Sequence, residues 1–314
     1  MPLPERQLIE RIRRAAHAGA AAPHIVRGIG DDCAILRPPR GHELLVTTDF
    51  SLEGEHFRRA WHPAASAGHR CLARGLSDIA AMGGEPLAAF LSLALPRELP
   101  QRWADEFIAG LLKLARRYRV ALAGGDVAQS PGGVLADIIV VGSAPKGRAI
   151  TRAGARSGDQ IYVTGALGGS AAALAQLMRG RKLRPRDHPE HFFPTPRIEI
   201  GRFLRRQRLA AAMIDVSDGL STDLSHICEE SGVGAIVEAA SVPVARGATL
   251  ALALNGGEDY ELLFTAPAKV RVPRRIAGVS VTRIGAIARG SRMYLEDALG
   301  RRSQLKPGGW EHFR

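Results

Sequence analysis

Six aspartates fall in four short segments, GIGDD (28–32), SDIAAMGGEP (77–86), AGGDV (123–127) and IDVSDGL (214–220). TTDF (47–50) adds a further one. Each of these carboxylates stands beside glycines or at the end of an apolar run. A buried acid without a partner costs several kcal/mol, so such groups are paired or hold a cation. Mg²⁺ takes carboxylate oxygens and usually arrives with phosphates. Two carboxylates about 4 Å apart repel by about 4 kcal/mol at an effective dielectric of about 20. Convergence of these acids therefore implies divalent cations.

Each segment also has an ordinary local reading. Gly28 and Gly30 let the backbone turn tightly ahead of Asp31 and Asp32, for metal binding or for an Asx-type turn. Thr47, Thr48 and Asp49 offer hard oxygen donors, or simply end a strand. Asp78 lies between Leu76 and Ile79 in an apolar helical stretch, where an unpaired acid is costly. Asp126 follows Gly124 and Gly125, a strand–glycine–carboxylate pattern suited to phosphate and metal. Asp215 and Asp218 flank Ser217 where a strand turns into a helix, and either also suits a helix N-cap. VTGALGGS (163–170) is a strand, a glycine turn and a helix start, for phosphate or for a plain turn. GGEDYELLF (256–264) sets Glu258 and Asp259 on a turn, as caps or as a site wall. Trp310, in the tail GGWEHF, suits packing or ring stacking.

The elements that must position these residues form two α/β series. Apolar periodicity predicts helices over 4–16, 64–82 and 100–119. Strands are expected over 43–50, 87–96, 120–126 and 134–145, the third stopping at Asp126. Polar, turn-rich KGRAITRAGARSGDQ (146–160) reads as a joint, so the expected domains are 1–145 and 146–314. Beyond it come strand QIYVTGA, helix 168–178, a loop through 181–196 and helix 196–209. Strand AAMIDVS, helix GLSTDLSHICEES, strand GAIVEAA, strand YELLFTAP and two final strands complete the chain.

The 314 residues, 46% of them hydrophobic, can build two cores, and no apolar run reaches the roughly 18–20 residues a bilayer demands. The first residues lack the apolar stretch of a secretory signal. Three scattered cysteines (Cys33, Cys71, Cys228) suggest no disulfide framework, so a reducing cytoplasm is the expected setting. The net charge of +12 comes mainly from arginine spread along the chain. It carries no interleaved aromatics, so neither nucleic acid nor membrane is expected as a partner.

Seven segments in order, GIGDDCAIL, TTDFSLEGEHF, SDIAAMGGEP, GGD, TRAGARSGDQIYVTG, IDVSDGLSTDLSHI and GGEDYELLFT, resemble the thiamine-monophosphate kinase family over nearly the whole chain. That family shares a superfamily with aminoimidazole ribonucleotide synthetase and selenophosphate synthetase. The resemblance implies a two-domain α/β ATP-binding fold of the aminoimidazole ribonucleotide synthetase type, pairing N-domain sheets in a homodimer. It implies ATP-dependent phosphorylation of thiamine phosphate with several Mg²⁺ ions. By motif, Asp32, Thr47, Thr48, Asp49, Asp78, Asp126, Asp215 and Asp218 match metal-binding positions. Gly125, Asp126, Arg152 and Ser217 match ATP contacts; His56, Glu258 and Trp310 match thiamine phosphate contacts. No catalytic residue beyond the metal ligands is implied. Segment 179–195 matches no motif.

Related ATP enzymes are the nearest alternatives. A selenophosphate synthetase is expected to carry a reactive Cys ahead of the first glycine loop, whereas Cys33 lies inside GDDCAIL and reads as a small packing residue. The hydrogenase-maturation relative ends in a functional cysteine, and this chain ends in HFR. A basic nucleic-acid binder and a non-catalytic thiamine phosphate binder are the alternatives from other classes.

Overall fold

The computed structural model describes residues 1–17, 23–311 and 313. The chain divides into two compact units. One comprises Met1–Ile79, Gly84–Gly147 and Phe192–Pro194; the other comprises Ala80–Gly83, Arg148–His191 and Thr195–Arg314. Among the described residues no helix is long and apolar enough to cross a membrane.

The first unit contains α1 (Glu5–His17), β1 (Ile25–Arg27), β2 (Ile35–Leu36), β3 (His42–Leu52), α2 (Ala64–Ala81), β4 (Glu85–Pro96), α3 (Gln101–Tyr118), β5 (Ala121–Ser130) and β6 (Leu135–Pro145). Its main sheet has the order β3-β6-β4-β5. β4 and β5 are parallel, which demands a crossover, and α3 supplies it. The other two pairings are antiparallel. Side chains alternate along β3: Leu45 and Ser51 are buried, whereas Leu44, Val46, Thr48 and Phe50 are exposed. Leu72, Leu76 and Ile79 of α2 are buried with Ile138 and Val140 of β6 in the core of this unit.

β5 does not stop at Asp126. It stays paired with β4 as far as Ser130, opposite Pro96, so Asp126 sits within the strand. The glycines make that possible. Gly125 has φ +147°, and a Cβ there would lie 1.9 Å from the Leu91 carbonyl oxygen.

The second unit contains β7 (Gln160–Thr164), α4 (Gly169–Met178), α5 (Pro189–Phe192), α6 (Ile198–Arg206), β8 (Ala212–Asp215), α7 (Leu220–Ser231), β9 (Gly234–Glu238), α8 (Leu250–Asn255), β10 (Leu262–Ala266), β11 (Arg275–Ile276), β12 (Val279–Ala288), β13 (Met293–Glu296) and β14 (Arg302–Gln304). The sheet order is β14-β13-β9-β12-β7-β10-β8, with β11 added beside β12. Only β9 and β13 run parallel among these pairs. Ile161, Val163, Ile214, Leu263 and Ile284 of the sheet pack with Leu220, Leu224 and Ile227 of α7. After β10 the chain forms four strands, β11 to β14, where two were expected, and α8 lies where no element was anticipated. Helix α5 likewise interrupts the expected loop.

Candidate active site

In the first unit the acids separate onto two faces and two edges of one sheet. Thr47 and Thr48 are neighbours on β3, so their side chains point to opposite faces. The Thr47 hydroxyl donates to Asp78 of α2, and Arg74, one turn earlier, pairs with Asp49 at 3.2 Å. Thr48 instead donates to Asp137 of β6 at 2.7 Å. Thr47 and Thr48 therefore do not form one oxygen set with Asp49, as their adjacency in sequence suggested. Asp137, unremarked in the sequence, is paired through Ser92 of β4 to Asp126 of β5, in one row across the sheet. Asp49 and Asp126 lie on opposite edge strands, three spacings or roughly 14 Å apart.

The GIGDD loop resolves its two acids into different roles. Arg27 hydrogen-bonds Asp31 at 2.8 Å, and this bond holds its carboxyl below the usual carboxylate range. Asp31 also accepts from the backbone N–H of Asp32, its immediate neighbour and not the residue two on that an Asx turn requires. Asp32 remains exposed, beside an equally exposed Cys33. Cys33 is thus not a packing residue, because β2 begins only at Ile35. His56 follows β3, and its Nδ1 accepts from the backbone N–H of Leu52 at 3.0 Å, which leaves the ring proton on Nε2.

The second unit gathers its residues more tightly. β8 ends at Asp215 and α7 begins at Leu220, so Val216–Gly219 form the turn between them. Asp223, in the first turn of α7, reaches back to this turn. Its Oδ2 accepts from the N–H groups of Ser217, Asp218 and Gly219 at 3.1, 3.2 and 3.0 Å. Burial pushes the Asp223 carboxyl up to about 8, helped by the charges of Asp215 and Asp218, while the N–H donors pull the other way. Asp223 was not singled out from the sequence, where it reads as an ordinary polar residue within a helix.

Two further segments are fastened to the same turn. Glu258 N–H donates to the Ser217 carbonyl at 2.7 Å and Tyr260 N–H to that of Val216 at 2.8 Å. Both residues adopt positive φ, 65° and 51°, in the region that costs a side-chain-bearing residue about 1–3 kcal/mol. Trp310 N–H donates to the Asp218 carbonyl at 3.0 Å. Asp215, Ser217, Asp218, Glu258 and Trp310 thus come together. His312, the other residue of the tail pattern, lies outside the described residues.

Arg152 does not join them. Its carbonyl accepts from Ser231, at the far end of α7. The glycine turn before α4 is occupied as well. Asp259 accepts from Gly168 N–H at 2.6 Å, filling that helix start with the protein's own carboxylate. Burial pushes the Asp259 carboxyl up to about 7. The plain-turn reading of VTGALGGS therefore describes it, and Asp259 is the cap while Glu258 faces the Ser217 turn.

Among the described residues no three His, Cys, Asp or Glu side chains stand ready to hold a metal by themselves. Asp215, Asp218 and Asp223 are close enough to feel one another's charge without forming such a set.

Family models for AIR synthase related protein match both parts of the chain, the N-terminal domain over residues 30–144 and the C-terminal domain over 156–297. Thiamine-monophosphate kinase of Salmonella typhimurium is 41% identical over 278 residues, covering 83% of this chain and 84% of that protein. This chain belongs to the thiamine-monophosphate kinase family. A solved thiamine-monophosphate kinase from Stenotrophomonas maltophilia has a TM-score of 0.82 at 35% identity, covering 96% of this chain and 99% of that one. A solved complex, AaThiL with AMPPCP and TMP, has a TM-score of 0.78 at 29% identity and covers 100% of this chain and 99% of the other. The two-domain α/β fold of the AIR synthase type and the family expected from the motifs are therefore both borne out. Membership in the thiamine-monophosphate kinase family also sets aside the selenophosphate synthetase alternative.

Proposed function

We propose that this chain transfers the γ-phosphoryl group of ATP to thiamine phosphate, giving thiamine diphosphate and ADP. Family membership supports the reaction, and AaThiL, solved with AMPPCP and TMP, is similar along the whole chain. One observation carries the site. The turn holding Asp215, Ser217 and Asp218 is bonded on one side to Glu258 and on another to Trp310. An acid and an indole beside a carboxylate-rich turn suit a substrate with a cationic thiazolium at one end and phosphate at the other.

The acceptor is a phosphate oxygen, already ionised at neutral pH, so the reaction needs alignment and charge neutralisation more than a general base. In this reading Asp32, Asp49, Asp78, Asp126, Asp215 and Asp218 serve the phosphates through bound cations, with Thr47 acting beside Asp78 and Thr48 beside Asp137. Gly125, Asp126, Arg152 and Ser217 are assigned to ATP, and His56, Glu258 and Trp310 to thiamine phosphate. Mg²⁺ bound by these carboxylates supplies the positive charge that offsets repulsion between the acceptor and ATP. The transfer is direct and in-line, without a phosphoenzyme.

Purified protein with Mg-ATP should convert thiamine phosphate to thiamine diphosphate, detected by chromatography, and should leave free thiamine unphosphorylated. The anionic acceptor is what balances the cations, so efficient use of free thiamine would overturn the specificity. Absence of thiamine diphosphate would overturn the reaction.

The same proposal includes a homodimer formed through the first unit's sheet, and a cytoplasmic setting in which all three cysteines stay reduced. β3 is an edge strand whose outer side exposes Leu44, Val46 and Phe50 at 49, 66 and 55%. Such an apolar strand face invites pairing with another copy. The chain should sediment at twice its 33.6 kDa mass, and Phe50→Glu should shift it toward monomer. A wild-type monomer at micromolar concentration contradicts the dimer.

A further inference from the structure

Chain ends ordinarily fray unless they are tied down. Here the tail is tied by three consecutive backbone N–H groups, all aimed at the start of α7. Gly308 N–H donates to the Ser221 hydroxyl at 3.1 Å, Gly309 N–H to the Thr222 hydroxyl at 3.0 Å, and Trp310 N–H to the Asp218 carbonyl at 3.0 Å. Upstream, Leu305 is buried in the core of the unit and its N–H is held by the Met293 carbonyl.

The contact leaves no room for a side chain on the tail. A Cβ on Gly309 would lie 2.1 Å from the Asp218 carbonyl oxygen and 2.7 Å from the Thr222 hydroxyl. One on Gly308 would lie 2.8 Å from Asn255 Oδ1. Asn255 in turn accepts from the Ser221 hydroxyl at 2.7 Å, so Ser221 is fixed in the orientation that receives Gly308. The strap ends at Trp310, a residue 54% exposed.

We infer that Ser221 and Thr222 are positioning residues for the thiamine end of the substrate: their hydroxyls hold Gly308 and Gly309 so that the Trp310 ring stands beside the Asp218 turn. The inference rests on the reading that Trp310 meets thiamine phosphate. The first turn of α7 then has two tasks. Asp223 shapes the turn from within, and the hydroxyls of the preceding two residues fasten the tail from outside.

Thr222 is the better probe, since Ser221 is fully buried. Thr222→Val keeps the shape and removes the acceptor, and Thr222→Ser restores it. The experiment measures KM for thiamine phosphate, KM for ATP and kcat for these variants, Trp310→Ala, and the Thr222→Val/Trp310→Ala pair. Loss of one hydrogen bond should raise KM for thiamine phosphate about three- to tenfold in Thr222→Val and leave KM for ATP nearly unchanged. Thr222→Ser should be close to wild type. Trp310→Ala should raise the same KM several-fold, and the double variant should be no worse than the stronger single one. Gly309→Ala, which displaces the tail without altering α7, should reproduce the Thr222→Val pattern and serves if that variant fails to fold.

An unchanged KM in Trp310→Ala removes Trp310 from the substrate, and the strap's purpose with it. A raised KM in Trp310→Ala but not in Thr222→Val or Gly309→Ala overturns the strap alone. Equal changes in both substrates' KM values, or no rescue by Thr222→Ser, mark a merely structural hydroxyl.

Discussion

Asp78→Asn should lower kcat on the order of a hundredfold, the scale on which one preorganised electrostatic group acts in a transition state, while leaving the fold intact. Asp78 lies on α2 between Leu76 and Ile79, both buried, and receives the Thr47 hydroxyl. Asn keeps a carbonyl oxygen for that hydroxyl. What it loses is the charge. If Asp78 binds Mg²⁺ together with ATP phosphates, the substitution weakens the ion's hold but also relieves repulsion among the acids of the metal-free chain. The variant without ligand should then melt at or above the wild-type temperature, and the stabilisation gained from Mg-ATP should shrink.

The competing role is structural. An acid paired with a cation would leave that cation without its partner once neutralised, and the metal-free variant would be destabilised by up to a few kcal/mol. Arg74, one turn away, bonds Asp49 at 3.2 Å, so a cation is within this network. Melting curves with and without Mg-ATP, run beside the kinase assay, separate the two roles. A destabilised variant with near-normal turnover removes Asp78 from the site.

How far the sequence carries this picture depends on the range of the interactions. Periodicity identifies α2, α3, β3 and β6 closely, because it reports which face of one element is apolar. It does not report register or partners. Thr48 meets Asp137 across 89 positions, and Asp259 caps α4 across 91. Nothing local announces either. Asp126 looked like a strand end because Gly124-Gly125 is ordinarily a breaker, but pairing with β4 carries β5 through it. The separation of Thr47 from Thr48 was legible in principle, since strand neighbours face opposite ways, yet a shared motif drew them together. The aspartate motifs themselves were legible because glycines and apolar neighbours make an isolated acid conspicuous. Asp223 was not, because inside STDLSHI it reads as an ordinary polar residue on a helix.

Asp223→Ala should both destabilise the second unit and remove most activity, and the two effects should separate in Asp223→Asn. The Ala variant leaves the N–H groups of Ser217, Asp218 and Gly219 without the oxygen that now accepts all three. Truncating a helix-start cap costs about 0.5–2 kcal/mol, and each buried N–H left unsatisfied adds about 1–3 kcal/mol where water cannot reach it. The turn must then rearrange, and with it go Asp218, the Glu258 contact at Ser217 and the Trp310 contact at Asp218. Activity should fall on the order of a hundredfold, because displacement of reacting groups by about 1 Å costs that much. Asn presents a carbonyl oxygen of the same reach and carries no charge beside Asp215 and Asp218. It should recover most of the lost thermal stability and a large part of kcat, since shape rather than charge is what the turn draws from this residue. Melting temperature and kcat for both variants decide the matter. If Asn is as inactive as Ala while melting like the wild type, the Asp223 charge itself takes part in the reaction and its role is not confined to holding the turn.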